Sequence, residues 1–63
     1  MTFYIYYTMS TGRSMMESPS ASEALAASES VRLAGGTVTK ILDSKGVAYT
    51  LVDLVQIASR TIH

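Results

Sequence analysis

The chain has no cysteine and no tryptophan, and one each of proline, phenylalanine and histidine; the histidine is the last of its 63 residues. Without cysteine there are no disulfides and no thiolate nucleophile, and a lone His63 cannot assemble the Cys/His sets that hold zinc. There is no excess of either charge, because five basic and five acidic residues cancel. A nucleic-acid binder carries a basic stripe, and Arg13, Arg32, Lys40, Lys45 and Arg60 are scattered instead. Nor is there a long apolar run. The stretch from Thr2 to Met9 stops far short of the ~20 residues of a membrane span, and no basic residue precedes it. The expectations are a cytoplasmic protein without membrane attachment, with no cofactor, no metal and no catalytic residues.

A chain of this length is one domain, residues 1–63. Folding at this size buries only ~60% of the surface that the unfolded chain exposes. With disulfides and zinc excluded, stability must come from well-formed local structure or from self-association.

What is present begins with residues 18–36, SPSASEALAASESVRLAGG. Ser20 and Glu23 have the spacing of a capping box, Pro19 is tolerated beside a helix start, and Gly35-Gly36 can end the helix. The predicted helix runs from Ala21 to Ala34, with Ala24, Ala27, Val31 and Ala34 as its packing stripe. Leu25 and Leu33 fall outside that stripe.

Before the helix, Thr2 to Met9 (TFYIYYTM) is rich in β-branched and aromatic residues, which favour a strand. Alternation places Phe3, Ile5, Tyr7 and Met9 on one face and Tyr4, Tyr6 and Thr8 on the other, and neither face is fully polar. Ser10-Thr11-Gly12 reads as a turn, and Arg13 to Met16 as a short return strand, the alternative being a serine-rich loop. After the helix, Thr37–Asp43 and Val47–Val52 form a predicted hairpin around Asp43-Ser44-Lys45-Gly46. Alternation sets Val38 and Leu42 against Thr39 and Ile41. Asp53-Leu54-Val55-Gln56 resembles a second capping box and opens a short C-terminal helix, in preference to a strand continuing through Asp53.

These elements predict an α+β fold in ββαββα or βαββα order. It has an antiparallel sheet of three or four strands, one main helix on one face and a short C-terminal helix. Among candidate sites, Tyr4, Tyr6, Tyr7 and Tyr49 suit either base stacking or sheet packing. Stacking platforms also need a cationic groove, so packing and interface are the expected roles. The serines lack a base to activate them. Asp43 and Asp53 supply one carboxylate each where a calcium loop gathers several, so a turn and a cap are their expected roles. Met9, Met15 and Met16 read as core, with an adaptable contact surface as the alternative.

One helix covers one sheet face. The other would leave an apolar patch that monomers rarely expose. The predicted function is therefore a small structural or protein-interaction module, not an enzyme, that works as a homodimer and could take a further protein partner. Its candidate interface residues are Tyr4, Tyr6, Leu25, Leu33, Leu54, Ile57 and Ile62. The alternative is a nucleic-acid-binding accessory protein that uses the tyrosine-rich sheet face.

Overall fold

The structure, a computed structural model, describes residues 2–61. Its elements are β1 (Phe3–Met9), β2 (Gly12–Ser18), α1 (Ala21–Leu33), β3 (Thr37–Asp43), β4 (Ala48–Tyr49) and α2 (Leu51–Thr61). The fold is α+β in ββαββα order. Its one sheet runs β2-β1-β3-β4, and every neighbouring pair is antiparallel. β2 and β3 flank β1 and are parallel to each other, so the chain must cross over β1 between them, and α1 makes that crossing.

Local chemistry explains α1. Ser20 has extended backbone, and its hydroxyl accepts from the Glu23 N–H at 3.2 Å, an N-cap. At the other end Gly36 donates to the Val31 carbonyl at 2.8 Å and Gly35 to the Arg32 carbonyl at 3.1 Å. This is the Schellman pattern, and Gly35 supplies its left-handed residue with φ 88°. The small-residue stripe is rotated from the predicted one. Ala21, Ala24, Ser28 and Val31 are buried, Ala27 is half-buried and Ala34 is exposed. Ser28 can sit there because its hydroxyl donates to the Ala24 carbonyl at 2.9 Å. Ser20→Ala is expected to cost about 0.5–2 kcal/mol in chemical denaturation. The exposed Ser22→Ala should change stability by less than about 0.5 kcal/mol.

β2 is longer at both ends than Arg13–Met16, because β1 offers it a full seven-residue ladder from Met9↔Gly12 to Phe3↔Ser18. The second hairpin differs from expectation. The turn at Asp43-Ser44-Lys45-Gly46 is in place, with Gly46 at φ 82°, but the returning strand is only Ala48–Tyr49. It ends because Thr50 caps α2. The Asp53 N–H donates to Thr50 Oγ1 at 3.1 Å, and the Thr50 N–H donates to Asp53 Oδ2 at 2.9 Å, a reciprocal capping box. The box is thus Thr50–Asp53, three residues earlier than the Asp53–Gln56 reading.

The core joins the inner face of the sheet to both helices. Phe3, Ile5 and Ile41 pack with Ala21 and Ala24 of α1 and with Leu54 and Ala58 of α2. Phe3, Ile5 and Leu54 are the largest fully buried side chains, each worth about 1.5–3 kcal/mol of apolar burial. Both helices therefore lie on the same side of the sheet. Among the described residues no helix is long and apolar enough to cross a membrane.

Candidate functional site

The opposite side of the sheet has no helical layer among the described residues. β1 presents Tyr4, Tyr6 and Thr8 there, as alternation predicts. Each finds a cross-strand neighbour on both sides: Tyr4 lies between Glu17 and Leu42, Tyr6 between Met15 and Lys40, and Thr8 between Arg13 and Thr37. Ala48 of β4 stands opposite Leu42 and extends the row. Lys40 Nζ sits 4.8 Å from the centroid of the Tyr6 ring, within cation–π range. Tyr4, Tyr6 and Leu42 are half-buried, and Met15 keeps 45% of its surface exposed.

A β-bulge shapes this face. The register between β1 and β3 shifts between Tyr6 and Tyr7, so Thr39 falls between the Tyr6↔Lys40 and Tyr7↔Val38 pairs. The Thr39 hydroxyl donates to the Tyr6 carbonyl at 3.1 Å. One extra residue inverts the alternation. Val38 and Ile41 consequently share the inner side, while Leu42 and Lys40 face outward. The prediction that Val38 and Leu42 share a face is corrected on this ground.

On the inner side, Asp43 organises the second hairpin. Its carboxylate accepts from the Lys45 N–H at 2.8 Å, the Val47 N–H at 2.9 Å and the Tyr49 hydroxyl at 2.9 Å. The Tyr49 ring meets the Phe3 ring edge-on at 5.3 Å. These bonds are those of a turn-former, the role expected for Asp43. The Val47 N–H above all, with the Tyr49 hydroxyl and the Lys45 amide and charge, lowers the Asp43 pKa below its ordinary 3.8 against the opposing effect of burial. Donation to Asp43, together with burial, raises the Tyr49 pKa above 10.0. A carboxyl with a depressed folded-state pKa stabilises the fold above its unfolded pKa, and loses that contribution as pH falls through the folded value. Asp43→Asn is therefore expected to be less stable than the parent at neutral pH. The gap should close on acidification from ~pH 5 downward, as followed by urea midpoints. A constant gap down to pH 2 would contradict this role.

A second feature is an open groove of about 480 Å³ between α1, α2 and the start of β3, lined by Leu25, Ser28, Val38, Leu51 and Val55 among others. Glu29 and Arg32 stand on its wall as an exposed ion pair one helical turn apart. Their mutual hydrogen bond lowers the pKa of the first and raises that of the second.

The predicted interface residues are divided among these places. Tyr4 and Tyr6 are on the bare sheet face. Leu25 lines the groove. Leu33, 73% exposed, stands at the end of α1. Ile57 is half-buried against the core, and Ile62 lies outside the described residues. Leu54 has 0% exposure and is withdrawn from the surface set, because α2 turns it inward against the sheet. Among the residues that sequence reasoning did not place on the tyrosine face are Lys40, Leu42, Met15, Arg13 and Glu17. The register that brings them there is not visible in any one strand alone.

Comparison with family models, curated proteins and solved structures finds no match.

Proposed function

We propose that the chain is a small, non-catalytic protein-interaction module of the cytoplasm that works as a homodimer. The observation that carries this reading is the one-sided cover of the sheet. α1 and α2 occupy one face, while Tyr4, Tyr6, Leu42 and Met15 stand on the other without a layer over them among the described residues. An apolar and aromatic surface of that kind marks a site of association. Tyrosine suits it, since the ring can be buried while the hydroxyl keeps a polar partner. Association also relieves the small-core problem of a 63-residue chain.

The charges on this face favour a protein partner over nucleic acid. Arg13 and Lys40 are partly offset by Glu17, which leaves a single net positive charge, and Lys40 already leans on the Tyr6 ring. Arg32 is paired with Glu29 elsewhere on the molecule. Such a surface lacks the continuous cationic track that holds a phosphate backbone.

Two measurements test the reading. The thermal midpoint of a homodimer rises with chain concentration, so it should climb by several degrees between dilute and concentrated samples. A midpoint independent of concentration would count against the dimer. Titration of labelled single-stranded DNA and RNA at low salt should show no anisotropy change. Binding that weakens steeply with added salt would move the assignment to nucleic-acid recognition.

A further inference from the structure

The two edges of the sheet are unequal. β4 contributes two residues before Thr50 turns the chain into α2, and a very short edge strand is one way in which proteins blunt an edge. β2 is different. It is a seven-residue edge strand with no proline within it and an unbroken register against β1, and all its residues except Met16 and Ser18 are exposed. Its outward N–H and C=O groups have no ladder partner among the described residues.

The charges on this edge are arranged in a particular way. Arg13 and Glu17 lie two residues either side of Met15, and all three side chains are on the tyrosine face. In an antiparallel pair, the groups that cross the seam come from alternate residues of each strand. A strand can therefore pair with its own copy only in registers that set one residue opposite itself. Centring on Ser14 would put Arg13 opposite Met15 of the second copy. Centring on Met16 would put Glu17 opposite Met15 and Arg13 opposite Pro19, which has no N–H to give. Centring on Met15 pairs all seven residues of β2, and sets Arg13 opposite Glu17 of the second copy twice, once on each side of the two-fold axis. Opposite charges directly across a seam stabilise a sheet, and like charges destabilise it.

We infer that two copies of this chain join edge to edge through antiparallel pairing of β2 with β2, centred on Met15. The product is one continuous eight-stranded sheet. The inference rests on the homodimer reading but moves its seam from the bare face to the β2 edge, so that the bare face is left to the further protein partner. Face-to-face stacking of the two tyrosine faces would instead enclose Arg13, Glu17 and Lys40, and removing charges from water is costly unless each is well paired. Edge pairing leaves those groups at the surface and aligns the ladder Lys40, Tyr6, Met15 with its symmetric counterpart. The two tyrosine faces become one surface for a further protein partner.

Sedimentation equilibrium on the full chain and four variants tests the seam, with circular dichroism confirming the fold of each. Arg13→Glu alone and Glu17→Arg alone each set like charges opposite one another at two places. Each should raise the dimer dissociation constant by about tenfold or more. The double reversal R13E/E17R should restore it to within about threefold of the parent value. An equimolar mixture of the two single variants should form heterodimers as readily as the parent forms homodimers. Met15→Lys, which sets two cations on the axis, should also weaken the dimer. A parent dimer that both single reversals leave unchanged, or that the double reversal fails to restore, would overturn the seam while leaving the dimer standing. A parent chain that is monomeric throughout would overturn the homodimer reading, and the seam with it.

Discussion

Leu54→Ala is expected to remove about 2–5 kcal/mol of folding stability, the range for truncating a buried leucine in a core that cannot fully collapse. Leu54 sits at 0% exposure among Phe3, Ile5, Ile41, Ala21 and Ala24, the meeting point of the sheet with both helices. Marginal stability of roughly 0.05–0.15 kcal/mol per residue gives a chain of 63 residues only about 3–9 kcal/mol in total. The substitution should therefore take a large part of it and leave a visibly unfolded fraction at room temperature. Leu33→Ala is the control. That side chain is 73% exposed, and its truncation should stay within about 0.5 kcal/mol. Chemical denaturation of the two variants separates a core leucine from a surface one. Equal, small losses would mean that α2 is not docked where it is described.

The second large effect is expected at Gly36. Its N–H closes the Schellman motif on Val31, and its Cα lies where α1 hands the chain to β3 directly against β1. A Cβ there would collide with Met9 Sδ, lie 2.8 Å from Val31 Cγ1 and lie 3.0 Å from the Thr8 carbonyl oxygen. The methionine can swing aside, whereas the Thr8 backbone and the helix that carries Val31 cannot do so cheaply. Gly36→Ala should cost about 1–3 kcal/mol as overpacking. Met9→Ala in the same chain should recover part of that loss, giving a coupling of about 0.5 kcal/mol or more in a double-mutant cycle. Gly35→Ala is destabilising for another reason. A Cβ at Gly35 meets nothing within 4 Å, but φ 88° disfavours any L side chain. Met9→Ala should leave that cost untouched.

How much of this could be read from the amino acids depended on the range of the signals. The position of α1 was legible because its cap and its stop are local, from Ser20 to Gly35, whereas its packed side was not, since Ser28 is buried there and Ala34 is exposed. The aromatic strand β1, its turn and the Asp43–Gly46 turn were legible for the same reason. The faces of β3 were not, because alternation holds only without a bulge, and the extra residue at Thr39 is set by pairing with Tyr6 and Tyr7 far away in sequence. The start of α2 was ambiguous locally, since T-L-V-D and D-L-V-Q can both be read as boxes. Choosing the earlier one shortens β4 and delivers Leu54 to the core, a tertiary consequence. Alternation puts Tyr4 and Tyr6 on one face together, but which face stays uncovered follows only from the packing of Phe3 and Ile5 against the helices. The tyrosines' neighbours Lys40, Leu42 and Met15 needed the cross-strand register.

The measurement that bears most directly on the dimeric interaction module is the mass of the unmodified chain in solution. Sedimentation equilibrium over a wide concentration range should give a species of twice the chain's 6.8 kDa, dissociating on dilution without aggregates. A well-folded species of 6.8 kDa at every concentration would contradict it.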